Sequence, residues 1–257
     1  LGKMYERVNL DRQEGDIACF YALNLFAEYI TKLVTAGVVA LLLDDPDRHR
    51  YSLEHKLVRA NSIGEWVEAL NLALTGPAAQ FFDVKARGVV QELTQRVEGG
   101  DWRYEVVNNI YMAAKNLNIQ TDRIGAKVSL RQFFQINATI RNKTRGHGAP
   151  TVTQCNSAIP LLEQAINQLL GNIQIFQLPW AHLHRNLSGK YRVTPLLGDC
   201  NPLDYLKRTR EESFPNGVYL YLTRPIRVPL VFTEAGAPDI FVPNGQFKNK
   251  TFEILSY

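Results

Sequence analysis

Residues 14–43 read EGDIACFYALNLFAEYITKLVTAGVVALLL and contain the longest uninterrupted apolar run of the 257-residue chain, Ala36–Leu43. Apolar side chains recur before that run at three- and four-residue steps: Ile17, Phe20, Tyr21, Leu23, Leu25, Phe26, Tyr29, Ile30 and Leu33. This spacing predicts one long helix over Glu14–Leu43, buried on more than half of its circumference. The acidic segment 44–47, which contains Pro46, is expected to end it.

Helical signals continue from this helix to residue 172. Ser62 and Glu65 have the spacing of a capping box and predict a helix through Leu74. Ser129 and Gln132 form a second such pair. Further helices are predicted over 77–97, 101–116, 129–141 and 152–170.

After Asn172 the pattern changes to short β-branched or aromatic runs separated by Pro, Gly and Asn. These runs predict strands at Ile173–Phe176, Val218–Leu222, Val228–Phe232, Ile240–Val242 and Thr251–Leu255. We therefore predict an α+β protein. An N-terminal all-α helical bundle over residues 1–172 precedes a small antiparallel β-sheet or partial-barrel domain over residues 173–257.

Composition excludes several classes of protein. A chain with 46% hydrophobic and 21% charged residues is globular rather than disordered or fibrous. No apolar run reaches the roughly 20 residues of a membrane span, so no membrane association is expected, and the mixed first twenty residues predict no signal peptide. Three scattered cysteines are typical of buried thiols in a reducing compartment, which predicts a cytoplasmic protein. Because the chain begins with Leu1, we interpret it as part of a longer polypeptide.

The net charge of +4 identifies no partner, but its distribution is uneven. The window 123–147 has no Asp or Glu, and its basic residues are Arg123, Lys127, Arg131, Arg141, Lys143 and Arg145. Such a set can form a positive surface facing phosphates. The alternative is a solvated helix face whose acidic partners come from elsewhere in the fold.

The same window contains Arg141 and His147 at the predicted end of a helix. On an unbroken helix they would lie about 120° apart, but Gly146, Gly148 and Pro150 favour a turn that brings His147 back towards Arg141. A guanidinium can hold a phosphate and stabilise the charge of its transition state. An imidazole can exchange a proton near neutral pH. The pair therefore suits cleavage of a phosphodiester.

Arg141-Asn142 is followed after four intervening residues by His147, at the junction of two late helices. This arrangement resembles the HEPN superfamily, whose Arg-x4–6-His motif is the active site of metal-independent ribonucleases. The resemblance covers about residues 10–171. Toxin members often carry Tyr two residues after the His. This chain has Ala149 there, so a toxin controlled by adenylylation is not expected.

The resemblance implies a ribonuclease mechanism with no metal and no cofactor. The 2′-hydroxyl of RNA would attack the adjacent phosphorus and leave a 2′,3′-cyclic phosphate. Arg141 would stabilise the phosphate, and His147 would act as acid or base. Asn142 would orient either His147 or the phosphate. The remaining basic residues of the window would bind the RNA: Arg123, Lys127, Arg131, Lys143 and Arg145.

Family members usually pair two motifs across a dimer interface, so the resemblance also implies a homodimer or pairing with a second such domain. They are often fused to, or encoded beside, modules of antiviral defence or toxin systems. Inactive members serve instead as interaction or sensing modules that bind a protein or nucleic-acid partner. That non-catalytic role is the alternative function for this chain.

Other residues suggest weaker sites. His182 and His184 would share one side of a strand, and we interpret them as a surface pair rather than as the start of a metal site. His49 and His55 are interpreted as part of a solvated basic loop. In the β part, aromatic residues accompany arginines and offer a face for nucleic acid or a partner: Tyr219, Tyr221, Phe232, Phe241, Arg224 and Arg227.

Overall fold

The structure is a computed structural model that describes residues 1–146 and 148–233. Within these ranges the helices are α1 Gly2–Glu14, α2 Asp16–Ala40, α3 His49–Arg59, α4 Ile63–Thr75, α5 Arg87–Thr94, α6 Trp102–Asn116, α7 Arg131–Gly146, α8 Val152–Asn172 and α9 Gln174–Gln177. The strands are β1 Trp180–Arg185, β2 Tyr191–Leu197, β3 Gly217–Tyr221 and β4 Pro225–Arg227. They form one antiparallel sheet in the order β2-β1-β3-β4. The α+β prediction is therefore confirmed.

Helix α2 lies at the centre of the bundle and packs against α1, α4, α7 and α8. It begins after Gly15, whose φ of 130° separates it from α1, and it ends at Ala40, so the single predicted helix over Glu14–Leu43 is wrong at both ends. By length and composition α2 could cross a membrane. However, 72% of its most apolar 18-residue window is buried inside the protein. It is the core helix that its apolar spacing predicts.

Local signals place several of the other helices correctly. Ser62 and Glu65 make both hydrogen bonds of the predicted capping box at the start of α4. Helices α6 and α8 match the predictions at 101–116 and 152–170. The backbone N–H of Ser129 donates to Gln132 Oε1 at 2.9 Å, but the helix itself begins at Arg131 and continues to Gly146 rather than ending at residue 141.

Two predicted segments of the bundle are wrong. The helix over 77–97 is replaced by the 3₁₀ segments Pro77–Phe81 and Val84–Ala86, followed by α5. Asp83 causes one interruption, because its side chain accepts from the N–H of Lys85. The supposed loop around His49 is the start of α3. Asp45 accepts hydrogen bonds there from the backbone N–H and the ring Nδ1 of His49 at 3.0 and 2.7 Å.

The sheet differs from its prediction at each end. Ile173–Phe176 falls mainly in helix α9 instead of a strand, and the N–H of Gln174 in its first turn donates to Glu92 Oε2 at 2.9 Å. The segment Val228–Phe232 follows β4 without extending it, and Leu230 adopts a φ of 59°. Strand β3 matches its prediction to within one residue. The predicted strands at Ile240–Val242 and Thr251–Leu255 lie outside the described residues.

The sheet packs directly on the helical bundle. A Cβ atom at Gly37 of α2 would lie 2.7 Å from Ile175 Cδ1 and 2.9 Å from Trp180 Cζ2, so only glycine allows this approach. Val218 and Leu220 of β3 belong to the same buried core as the helices. The other sheet face has a smaller core with the 3₁₀ segment Asn201–Lys207. Residue 172 ends α8, but the main apolar core continues beyond it.

Candidate functional site

A row of polar side chains connects α2 with α7 inside the bundle. We call this row the α2–α7 seam, and its members are Tyr21, Glu28, Thr31 and Lys32 of α2 with Asn137, Arg141 and Thr144 of α7. The α2 members lie three, four or seven residues from Glu28, and the α7 members follow at steps of four and three residues, which places each set along one face of its helix. Two hydrogen bonds join the helices beside the charged groups, from Asn137 Nδ2 to Thr31 Oγ1 at 3.2 Å and from Tyr21 to the carbonyl of Thr144 at 3.3 Å.

The centre of the seam is a carboxylate shared by two cations. Glu28 Oε1 lies 2.9 Å from Lys32 Nζ, and its Oε2 accepts from Arg141 Nε at 3.0 Å. The side chains of Glu28 and Lys32 are 6% and 4% exposed. Lys32 also lies over the ring of Trp66, at 5.8 Å from the ring centroid. With one negative and two positive charges, the cluster keeps one net positive charge.

The pKa of Glu28 shows whether burial or the two neighbouring cations have the stronger effect on its carboxyl group. Burial acts to raise the pKa of its carboxyl group, but Lys32 and Arg141 together hold the pKa below its ordinary value. The carboxylate is therefore ionised at neutral pH and keeps Arg141 in place. A buried ion of this kind is stable only while its partners remain.

Arg141 retains hydrogen-bonding capacity after this pairing. A guanidinium has five N–H donors, and the bond to Glu28 uses only the one on Nε. Within residues 1–146 and 148–233 no hydrogen bond is made by the terminal nitrogens of Arg141. The side chain is 23% exposed, so Arg141 lies at the edge of the seam. Arg141 is thus held at one nitrogen and available at the others.

The other two predicted catalytic residues have different positions. Asn142 is exposed and lies towards α4, where its Nδ2 is 3.8 Å from the position that a Cβ of Gly64 would take. His147 lies outside the described residues, so its predicted approach to Arg141 remains a prediction. It follows directly after Gly146, the last residue of α7, and precedes Thr151, which caps α8.

An open groove of about 380 Å³ lies beside the connection between α7 and α8. Its walls come from Leu117 to Gln120 after α6, from Lys143 and Thr144, and from Gly148 to Pro150. This volume is within the range of small-ligand sites. The groove opens beside the C-terminal end of α7, where Lys143 and Thr144 line it.

The predicted RNA-binding residues do not form one patch around Arg141. Arg131 and Arg145 lie at opposite ends of α7, about 21 Å apart at the rise of an α-helix. Lys127 pairs with Glu98 at 2.8 Å, so this residue and Arg141 both obtain acidic partners from outside the window. For these two residues the structure agrees with the alternative interpretation, in which the acidic partners of the basic window come from elsewhere in the fold. Arg123, Lys143 and Arg145 are exposed, and the last two also suit the negative end of the α7 dipole.

Other reactive groups offer no competing site. Cys19, Cys155 and Cys200 are buried free thiols, as predicted, and burial raises the pKa of each. His182 and His184 both lie on β1, where burial and then the charge of His184 lower the pKa of His182. Among the described residues one cluster has metal-ligand geometry, namely Asp45, Asp47 and His49. Its hydrogen bonds to the first turn of α3 explain it without an ion.

Comparison of the chain with known protein families, with curated proteins and with solved structures finds no match.

Glu28 and Lys32 are the residues that the sequence interpretation missed. The signal was present within α2, where polar residues interrupt an otherwise apolar helix at Asn24, Glu28, Thr31, Lys32 and Thr35. These positions follow the period of a helix and therefore share one face. Buried charged residues such as Glu28 and Lys32 require charged or polar partners, so this stripe indicates that another element supplies one.

Proposed function

We propose that the protein is a metal-independent endoribonuclease of HEPN-like type whose active site lies at the C-terminal end of α7. The observation that supports the proposal is the state of Arg141. Its Nε is fixed by a buried carboxylate, while its terminal N–H donors are unused among the described residues and the side chain is partly exposed. A prepositioned guanidinium of this kind is suited to bind a phosphate through two parallel hydrogen bonds.

The proposed reaction needs no metal. The 2′-oxygen of RNA bonds to the adjacent phosphorus and the bond from phosphorus to the 5′-oxygen breaks, which leaves a 2′,3′-cyclic phosphate and a 5′-hydroxyl. Arg141 stabilises the additional negative charge on the phosphate oxygens. His147 accepts the proton of the 2′-hydroxyl or donates one to the 5′-oxygen, and Asn142 orients it. Within the predicted RNA-binding set, the exposed residues without an ion pair among the described residues bind the flanking phosphates: Arg123, Lys143 and Arg145.

A second copy of the chain completes the proposed site. Each chain carries one Arg141–His147 motif, and the proposal joins two motifs across a homodimer, with both sets of residues acting on one RNA strand. We place the protein in the cytoplasm. Its three cysteines, which are free and buried, support this location. A fused or neighbouring module of an antiviral defence or toxin system would supply the activating signal.

The alternative is a non-catalytic HEPN-like module that binds a protein or nucleic-acid partner. The observation in its favour is the same ion pair, because a bond between Arg141 and a 6% exposed carboxylate also serves to stabilise the fold. The two functions differ in what they require of His147, which the pairing of Arg141 with Glu28 does not involve.

Cleavage of mixed RNA in EDTA by wild type, His147→Ala, Arg141→Ala and the control Arg59→Ala tests the proposal. We expect cleavage by wild type and the control, products ending in 2′,3′-cyclic phosphate by mass spectrometry, and a loss of about 100-fold or more in His147→Ala. Thermal melts verify that each variant is folded. No cleavage by dimeric wild-type protein, or equal cleavage by all four proteins, would rule out the proposed nuclease site.

A further inference from the structure

A cleft lies between helix α3 and the edge of the sheet at β3 and β4, away from the seam. It consists of an inner cavity of about 140 Å³ and an outer cavity of about 420 Å³. Arg50 and Arg227 line both cavities, so the two are adjacent. We call this feature the C-terminal cleft. The volume of its outer part is that of a small-molecule site.

The arginines of the C-terminal cleft differ in whether they have a partner among the described residues. Arg50 is engaged by Glu54, whose Oε1 accepts from its Nε at 3.0 Å, and by the carbonyl of Leu42 at 3.3 Å. Arg224 and Arg227 form no ion pair within residues 1–146 and 148–233. Glu212 is the carboxylate that lines the outer cavity. Arg224 and Arg227 therefore leave a net positive charge in the cleft.

An aromatic wall faces the same space. Tyr205 and Phe214 line the outer cavity, and Tyr205 is 42% exposed. Phe214 is fixed by edge contacts with Tyr191 and Tyr219, at ring-centroid distances of 6.0 and 5.7 Å. Burial, then Glu212 and Tyr221, raise the pKa of Tyr205, so its ring carries no charge at neutral pH. The cleft thus combines an apolar aromatic surface with two guanidinium groups, of Arg224 and Arg227, that have no ion-pair partner among the described residues.

We propose that the C-terminal cleft binds a nucleotide, with its phosphate at Arg224 and Arg227 and its base against Tyr205. Guanidinium groups bind phosphate oxygens through paired hydrogen bonds, and stacking of a base on an aromatic ring is worth about 1–3 kcal/mol. The outer cavity thus offers groups for both the phosphate and the base of a nucleotide. The ligand is a free mononucleotide or a nucleotide unit of an RNA strand, which present the same chemistry. This site is independent of the proposed nuclease.

Calorimetric titration of the full chain with AMP, adenosine and inorganic phosphate tests the site. We expect AMP to bind at least tenfold more tightly than either fragment. Arg224→Gln combined with Arg227→Gln should weaken AMP binding tenfold or more, whereas the matched exposed control Arg59→Gln on α3 should leave it unchanged. Tyr205→Leu should weaken AMP binding and leave phosphate binding unaltered. His147→Ala, which leaves the pair between Arg141 and Glu28 in place, should have no effect, and this separates the site from the proposed nuclease.

Competition by a short single-stranded RNA identifies the source of the nucleotide. Displacement of AMP by the RNA indicates a nucleotide unit of a strand, and failure to displace it indicates a free mononucleotide. Equal AMP affinity in wild type and the Arg224, Arg227 double variant would overturn the proposal. So would phosphate binding as tight as AMP binding, because the aromatic wall would then contribute nothing.

Discussion

The α2–α7 seam and the C-terminal cleft both contain arginine, but the fold uses the charge differently in each. In the seam Arg141 and Lys32 share the buried carboxylate of Glu28. In the cleft Arg224 and Arg227 lack a carboxylate partner among the described residues. A paired buried cation is needed for stability, whereas an unpaired cation at a cavity remains available for a ligand. Substitutions in the two regions should therefore affect different measurements.

The largest expected effect on stability is that of Glu28→Gln. It leaves Lys32 and Arg141 without their shared carboxylate, and removal of one partner from a buried ion pair costs about 3–5 kcal/mol. Urea unfolding measures the change. The control is Glu68→Gln, because Glu68 is 58% exposed in its pair with Lys56, and such surface pairs are worth about 0–1 kcal/mol. An equal decrease in the free energy of unfolding in both variants would show that the buried pairs of Glu28 contribute no more than a surface ion pair.

The contribution of Glu28 should also depend on pH. Because its folded pKa lies below the unfolded value, the carboxylate stabilises the protein fully above the unfolded pKa, about 4.3. This contribution is lost as the pH falls through the folded pKa. The difference in unfolding free energy between wild type and Glu28→Gln should be constant near pH 7 and shrink below about pH 4. A difference that grows at low pH would contradict the ionised state of Glu28.

A smaller effect of opposite sign is expected from Asn24→Leu. Asn24 is 2% exposed, and neither polar atom of its side chain has a hydrogen-bond partner in the part of the chain that the structure describes. Replacing an unsatisfied buried amide by an apolar group of similar size should raise the free energy of unfolding by about 1 kcal/mol. Asn137→Leu is the comparison, because it removes the bond to Thr31 and should destabilise. Destabilisation by Asn24→Leu would mean that its amide is satisfied.

The smallest effect on stability is expected in the cleft. Arg224→Gln and Arg227→Gln together should change the free energy of unfolding by no more than about 0.5 kcal/mol, as for surface substitutions that break no paired interaction. Thermal melts in low and high salt measure it. A loss as large as that in Glu28→Gln would remove the distinction between the two regions and assign both arginines to the fold.

Sequence reasoning succeeds where the signal is local. The capping box of Ser62 and Glu65 needs only four residues, and the structure contains both of its hydrogen bonds. It fails where the deciding partner is distant. Helix α9 has Glu92 as partner of its first turn, 82 residues away, and Arg141 finds Glu28 at a separation of 113 residues. Counting charges in the window 123–147 could identify Arg141 but not its pairing.

The candidate site is therefore predictable only in part. Arg141 and Asn142 follow from the motif, and their place at the end of a helix follows from the glycines after them. The buried carboxylate that holds Arg141 depends on tertiary packing. In the C-terminal part, Arg224 and Arg227 were recognised beside aromatic residues, but Tyr219 is buried in the smaller core, and Tyr205 lines the cleft instead.

The seam also fixes how α2 and α7 are aligned along their lengths. Two helices in purely apolar contact can slide past each other by one turn, about 5.4 Å, and bury a similar area. Here such a slide would separate Arg141 from Glu28 and Asn137 from Thr31 together, leaving buried polar groups unpaired. The seam thus selects a single register, as a buried asparagine does in a coiled coil. Gly146, the last residue of α7, consequently has one fixed position along the axis of α2.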